Sequence, residues 1–340
     1  MIKRIIKSHL SKVKFGAYLN PKIKTINNYR KFIPEPYKSV LLISADFELA
    51  WAWRFTKSAT NPLEKALLKA KLERKNIPLI VKLCEKYNIP ITWLTVGHLF
   101  LESCERLNGK AHPELPGLGH FENDFWKYNN KDWFEHDPCS DYKVSPEWYG
   151  PDLIHMILNT KVKHEIGCHT FSHIDCRDEV CPPELLQAEL KECIKNANEL
   201  GIELKSFVHP GHTIGNLDVI AEEGFTNFRT DYENVLGYPK KHKNGLWEFE
   251  QTAGIVYRKD WSVDYHIYRY ITIIKRAIKT NTVCVLWFHP SFDLVVLEKI
   301  LPDVFRFIYE NKDKIKVTTN RKYLEWLKTQ SITNHLLNNV

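Results

Sequence analysis

Short apolar runs alternate with longer amphipathic stretches along most of this 340-residue chain. From residue 38 onward SVLLISAD, IPITWLTV, KHEIGCH, KSFVHP, TNFRT, TVCVLWF and IKVTT are strand-length apolar runs, as expected of parallel strands covered on both faces. Between them apolar positions recur at helical spacing over 62–87, 151–159, 183–200, from 216, and over 263–279, 295–311 and 321–328. Pro151 suits the first position of its helix, and Gly201 suits the residue just past the end of another. Strands and helices in alternation predict parallel strands with the helices outside. Seven such units in one run predict an α/β barrel, incomplete, in a single domain. Two stretches, 106–150 and 231–260, break the rhythm, and long connections without periodicity tend to carry function.

Composition adds few constraints. The chain is 44% hydrophobic and 26% charged, ordinary for a globular protein, and no apolar run approaches the ~20 residues of a membrane span. The N-terminus lacks an apolar core segment and a small-residue cleavage site, so no secretory signal is expected. Eight cysteines without a Cys-x-x-Cys are read as reduced thiols in a cytoplasmic protein. Charge is more informative. Residues 1–40 hold ten Lys/Arg against Glu35, leaving the rest of the chain slightly acidic, so any basic function belongs to the arm over 1–37. Within it Ile2, Ile5, Ile6, Leu10 and Val13 form a stripe among the basic residues. That stripe over 1–15 is suited either to the surface of an anionic membrane or to the protein's own flank. No nucleic-acid motif accompanies the charge, so no nucleic-acid partner is expected. The oligomeric state is left open.

The chemistry lies where strands end. Strand one ends at Asp46 and Glu48, strand three at His169, strand four at His209, strand five at Arg229 and strand six at His289. In βα barrels the carboxyl ends of the strands build the active site, so five separate strands deliver titratable groups to one rim. In HEIGCHTFSHIDC, His169 and His173 are one helical turn apart, the spacing of a metal pair, although any two residues on a helix face share it. Asp46-Phe47-Glu48 puts two carboxylates on one side of an extended chain, although a helix cap would look the same. Two histidines and one carboxylate make the ligand set of a catalytic zinc. The spare carboxylate is then a general base, and a histidine on the opposite wall a general acid.

These residues resemble the polysaccharide deacetylase family, carbohydrate esterase family 4, over about residues 38–328. SADFE matches its first motif and HTFSH, His169–His173, its second. FVHPGHTIGN matches its third in part, and LWFHP its strand-end histidine. ITWLTVGHLFL and EIGCHTFSH resemble a subgroup associated with surface-glycan biosynthesis. The resemblance implies a distorted seven-stranded (β/α) barrel as the single catalytic domain over 38–330, followed by a tail over 331–340. It implies hydrolysis of an N-acyl group, acetyl or formyl, from an amino sugar of a surface glycan or its precursor. Carried over, Asp46 is the base, His289 the acid, and Glu48, His169 and His173 the ligands of one divalent transition ion, Zn2+ first. His209, Pro210, Gly211, Arg229 and Asp231 become substrate contacts, with Asp231 also a partner for His289. Trp126, Trp133, Trp148 and Tyr149 become platforms for sugar rings or anchors of their loop. Glu48 stands where the family has aspartate, and the third motif lacks the arginine that supports the base. Two other readings stay open: a glycan-binding relative without catalysis, and a metal-dependent C–N hydrolase acting on a small non-sugar amide.

Overall fold

The computed structural model describes residues 20–119, 121–123, 125–128 and 132–337. At its centre lies β1 (Ser39–Phe47), in which all nine residues are buried. Its periodicity sorts the interior. Leu41, Ile43 and Ala45 join one large apolar core, while Val40 and Leu42 join a smaller one on the opposite side. Ser44, Asp46 and Glu48 continue the second side, because successive side chains of a strand alternate. The two carboxylates therefore stand above an apolar floor.

Parallel neighbours flank β1. β2 (Thr92–Thr95) runs beside its C-terminal half, and on that same edge β9 (Ile315–Thr318) runs beside its N-terminal half. β8 (Val283–Phe288) occupies the other edge over six residues. From β2 the sheet continues in parallel through β3 (Glu165–Cys168), β4 (Ser206–Val208), β5 (Asn227–Thr230) and β6 (Trp247–Glu250). β7 (Ala253–Gly254) pairs with β8, and Lys240–Lys241 adds an antiparallel edge to β6. The sheet thus has ten strands and curls into a half-barrel, in place of the seven expected strands. Two of the additions, β6 and β7, lie in the stretch 231–260 that reads as a connection. Their shortness and the flanking KKHKNG hide the strand signal. Gln251 and Thr252, between them, bond through their N–H groups to Thr230 and Val285, so one segment touches β5 at its start and β8 at its end.

Helices cover the outside. α1 (Pro62–Tyr87) is capped by Asn61, whose side chain accepts the Glu64 N–H, and it ends on left-handed Asn88. α2 (Pro151–Leu158), α3 (Pro183–Glu199), α4 (Leu217–Glu222), α5 (Val263–Thr280) and α6 (Leu301–Glu310) follow in sequence. α7 (Asn320–Leu337) extends past the expected end at 328, and its Tyr323, Leu324 and Leu327 belong to the smaller core. Of the arm, Lys22–Ile23 pairs with Val235–Leu236, and Ile33 is buried in that core. The stripe over residues 1–15 lies outside the described residues. Among the described residues no helix is long and apolar enough to cross a membrane.

Candidate active site

The strand ends meet at one cavity of about 350 Å3, within the ~300–1,000 Å3 typical of small-molecule sites. Asp46, Glu48, His169, His173, His209 and His289 all line it. Glu48 is the hub. Its Oε1 lies 3.1 Å from His169 Nε2, 3.3 Å from His173 Nε2 and 3.6 Å from His289 Nε2. The turn after β1 that carries Glu48 is held from behind, because Glu73 of α1 accepts the backbone N–H groups of Glu48 and Leu49 at 3.1 and 3.0 Å. Leu49 is left-handed there, at φ 47°. His173 is left-handed too, at φ 60°, and its loop is clamped by Glu189, which accepts both the N–H and the hydroxyl of Ser172.

His169 has a defined tautomer. Its Nδ1–H donates to the Val208 carbonyl at 2.9 Å, which leaves the Nε2 lone pair facing Glu48. A carboxylate oxygen set against that lone pair needs either a second proton or a metal ion between them. Glu48 Oε2 is buried and has no hydrogen-bond partner, a cost a native site rarely leaves unmet. The donor atoms of Glu48, His169 and His173 lie within 4.8 Å of one another, so these residues fit a divalent ion. Asp46, Glu48 and His289 form a second such group around the same carboxylate. The first set is favoured because both Asp46 oxygens are already engaged.

Arg229 engages them. From β5 its Nη1 donates to Asp46 Oδ1 at 2.9 Å and its Nη2 to Oδ2 at 2.6 Å, while the guanidinium lies 4.5 Å from the Trp287 ring centre. Arg229 is 1% exposed, so it sits beneath Asp46, and the structure gives it the role of orienting that carboxylate. The third motif has no arginine, and the guanidinium beside Asp46 comes from the next strand. Burial alone would raise the pKa of Asp46, but Arg229 outweighs it and holds the carboxyl below its usual value. Glu48 is held well below its usual range, its burial overcome chiefly by His289. Burial pushes His173 down to about 4, which keeps it neutral, as a metal ligand must be. His289 goes the other way. Burial would lower it, yet the Glu48 carboxylate raises it above the ordinary value, as suits an acid.

The remaining expected residues separate. His209 Nε2 is tied to the Gly215 carbonyl at 3.1 Å, and burial pushes its pKa down to about 3. Asp231, raised to about 6 by burial, meets His212 Nδ1 at 3.1 Å, so its partner is His212 in place of His289. His212 also lines the cavity, with its ring 5.3 Å from Trp287. Trp126 lines the cavity, joined by Trp53 and Phe125. Trp133, Trp148 and Tyr149 do not. They are buried in the core, and Trp133 Nε1 donates to Ser172, so they anchor their loop.

Gly211 lines the cavity and packs against the Trp126 ring, whereas Pro210 is buried and does not line it. Gly211 has φ 54°, and a Cβ there would come within 2.5 Å of the Trp126 ring. Gly211→Ala is therefore expected to cost about 1–2 kcal/mol of stability for the left-handed backbone. It should also raise KM by pushing Trp126 into the cavity. Thermal unfolding and saturation kinetics check both effects, and unchanged KM would detach this wall from substrate binding.

No protein-family model and no curated protein matches the sequence. Solved structures do share the fold. A proposed polysaccharide deacetylase from Mycobacterium smegmatis superposes with a TM-score of 0.60 at 14% identity, over 92% of this chain and 96% of that one. A second, from Pseudomonas aeruginosa PAO1, gives 0.58 at 13% identity over 86% and 92%. The allantoinase PuuE gives 0.57 at 14% identity over 86% and 91%.

Proposed function

We propose that this chain is a metal-dependent hydrolase that removes an N-acyl group from an amino sugar, within the carbohydrate esterase 4 deacetylases. One observation carries the reading. A carboxylate with an unpaired oxygen stands among three histidines, next to a second carboxylate that an arginine holds ionised. The curled sheet supports it: with β6 and β7 taken as one bent strand, and β9 and Lys240–Lys241 as additions outside the ring, seven strand positions follow one another from β1 round to β8. Glu48, His169 and His173 would hold the ion, which we take to be zinc from the N, N, O donor set. Such an ion polarises the scissile carbonyl and lowers the pKa of an attacking water.

The chain's own residues divide the remaining work. Asp46, fixed in plane by Arg229, takes the proton from the attacking water. His289, just past the neighbouring strand β8 and with Trp53 and Trp287 against its ring, gives a proton to the departing amine nitrogen. Trp53, Phe125 and Trp126 offer apolar faces to a sugar ring and exclude water. We take the substrate to be a surface glycan or its precursor and the enzyme to be cytoplasmic. A second reading, hydrolysis of a small non-sugar amide, draws on the modest size of the cavity. A panel of N-acetylated and N-formylated amino-sugar conjugates, run beside small linear and cyclic amides, separates the two. Free amine from the sugars supports the proposal, and turnover of the small amides alone sinks it.

For the arm we propose reversible contact with anionic membranes through residues 1–15, about 1 kcal/mol per basic residue near the surface and weakening with salt. Sedimentation with anionic vesicles is expected to fall when that segment is removed. Unchanged sedimentation would return the stripe to the protein's own flank.

A further inference from the structure

On the far side of the His173 loop, four side chains of different chemistry converge in the long connection after β2. His98 and His112 both place Nε2 at 3.0 Å from Asp137 Oδ2, and Cys104 Sγ lies 3.6 Å from that oxygen and 3.9 Å from His98 Nε2. All four donor atoms lie within 4.8 Å of one another. The ligands of a tetrahedral zinc stand roughly 3.3–3.6 Å apart, given bonds of about 2.0–2.3 Å. We propose that His98, Cys104, His112 and Asp137 hold a second, structural zinc ion.

The contacts around the cluster suit a cation. His98 Nδ1 faces the Trp148 carbonyl at 3.2 Å, a pure acceptor, so that nitrogen carries the proton, and in the neutral ring Nε2 then presents its lone pair to Asp137. A lone pair then faces a carboxylate oxygen, the deadlock a metal ion resolves. The other oxygen, Oδ1, is already satisfied by the Cys139 N–H at 2.9 Å and the Tyr149 hydroxyl at 3.3 Å. Outer partners of this kind aim a metal-binding carboxylate and imidazole. Both ion pairs of the Asp137 carboxylate among the described residues are to these histidines, and His98 and Asp137 are almost wholly buried. His112 is left-handed at φ 47°, a conformation a non-glycine residue keeps only where its surroundings impose it. One thiol, two imidazoles and a carboxylate form a closed set, with no position left for substrate, and a soft sulfur selects zinc over calcium or magnesium.

The ion would staple the connection where it is least covered by regular structure. His98 follows β2, Cys104 and His112 flank a short hairpin, and Asp137 comes from the far end. The same connection carries Trp126 to the cavity, and the His98 and His112 rings pack on Phe171 of the His173 loop. Loading this site therefore braces two walls of the active site without entering it.

Cobalt separates the two sites, because only this one contains sulfur. Protein loaded with Co2+ is expected to bind two ions per chain and to show a near-ultraviolet sulfur-to-cobalt charge-transfer band. Cys104→Ser should lose the band, and His169→Ala with His173→Ala should lose one ion and keep it. The wild type decides the matter even if a variant fails to fold. No charge-transfer band in the cobalt-loaded wild type, or a band that survives Cys104→Ser, would overturn the proposal.

Discussion

Asp46→Asn is expected to lower turnover by about 10²–10⁴-fold while the protein keeps its metal. Asparagine preserves the shape of the carboxylate but cannot take a proton from water. Asp46 is also bonded through both oxygens to Arg229, which leaves it poorly placed to serve as a first ligand. Glu48→Gln should behave in the opposite way, since Glu48 is the shared neighbour of His169 and His173. Metal content should fall, and excess ion should restore part of the activity. His289→Ala should resemble Asp46→Asn, with metal kept and turnover lost. Elemental analysis alongside kinetics reads all three. Metal lost from Asp46→Asn and kept by Glu48→Gln would reverse the two roles.

Arg229→Met removes the cation bonded to both oxygens of Asp46. It leaves a buried carboxylate without its cation, a change typically costing about 3–5 kcal/mol. The sign of the pH effect follows from the environment of Asp46. In the wild type Arg229 holds its pKa below 3.8 against the effect of burial, so the pair stabilises the fold above the ordinary carboxyl range. That stabilisation is lost as pH falls through the lowered value. Without Arg229, burial is opposed only by the weaker influence of His169 and His289, and the pKa rises. The acid limb of kcat/KM, where the base must be ionised, should then move to higher pH. The alkaline limb belongs to His289, which must stay protonated, and in the wild type it should lie above 6.5. An acid limb left in place by Arg229→Met would show that Asp46 is not the base.

How much of this could be read from the residues depends on where the information sits. Asp46 and Glu48 at the end of SVLLISADF, and His169 and His173 one turn apart, are local patterns, and the structure brings them together within one cavity. The partnership of Arg229 with Asp46 spans 183 residues and depends on the order of strands, which no local period encodes. Its position at the end of β5 was visible, but not which neighbour it would meet. Glu73 was more accessible, as a carboxylate on the buried face of α1 that had to find donors and finds the backbone of Glu48 and Leu49. β6 and β7 leave no legible trace in the sequence, because four- and two-residue strands carry too few positions for a period to register. In the stretch 106–150 the aromatic residues could not be sorted by composition. Contact alone distinguishes Trp126 at the cavity from Trp133, Trp148 and Tyr149 in the core.

The most direct test follows free amine and acetate released from an N-acetylated amino-sugar oligosaccharide by zinc-loaded protein. It compares the wild type with Asp46→Asn and with His169→Ala/His173→Ala, all shown to be folded. The account predicts equal amounts of the two products from the wild type and essentially none from either variant. No free amine from any N-acylated amino sugar, or release undiminished in both variants, would contradict it.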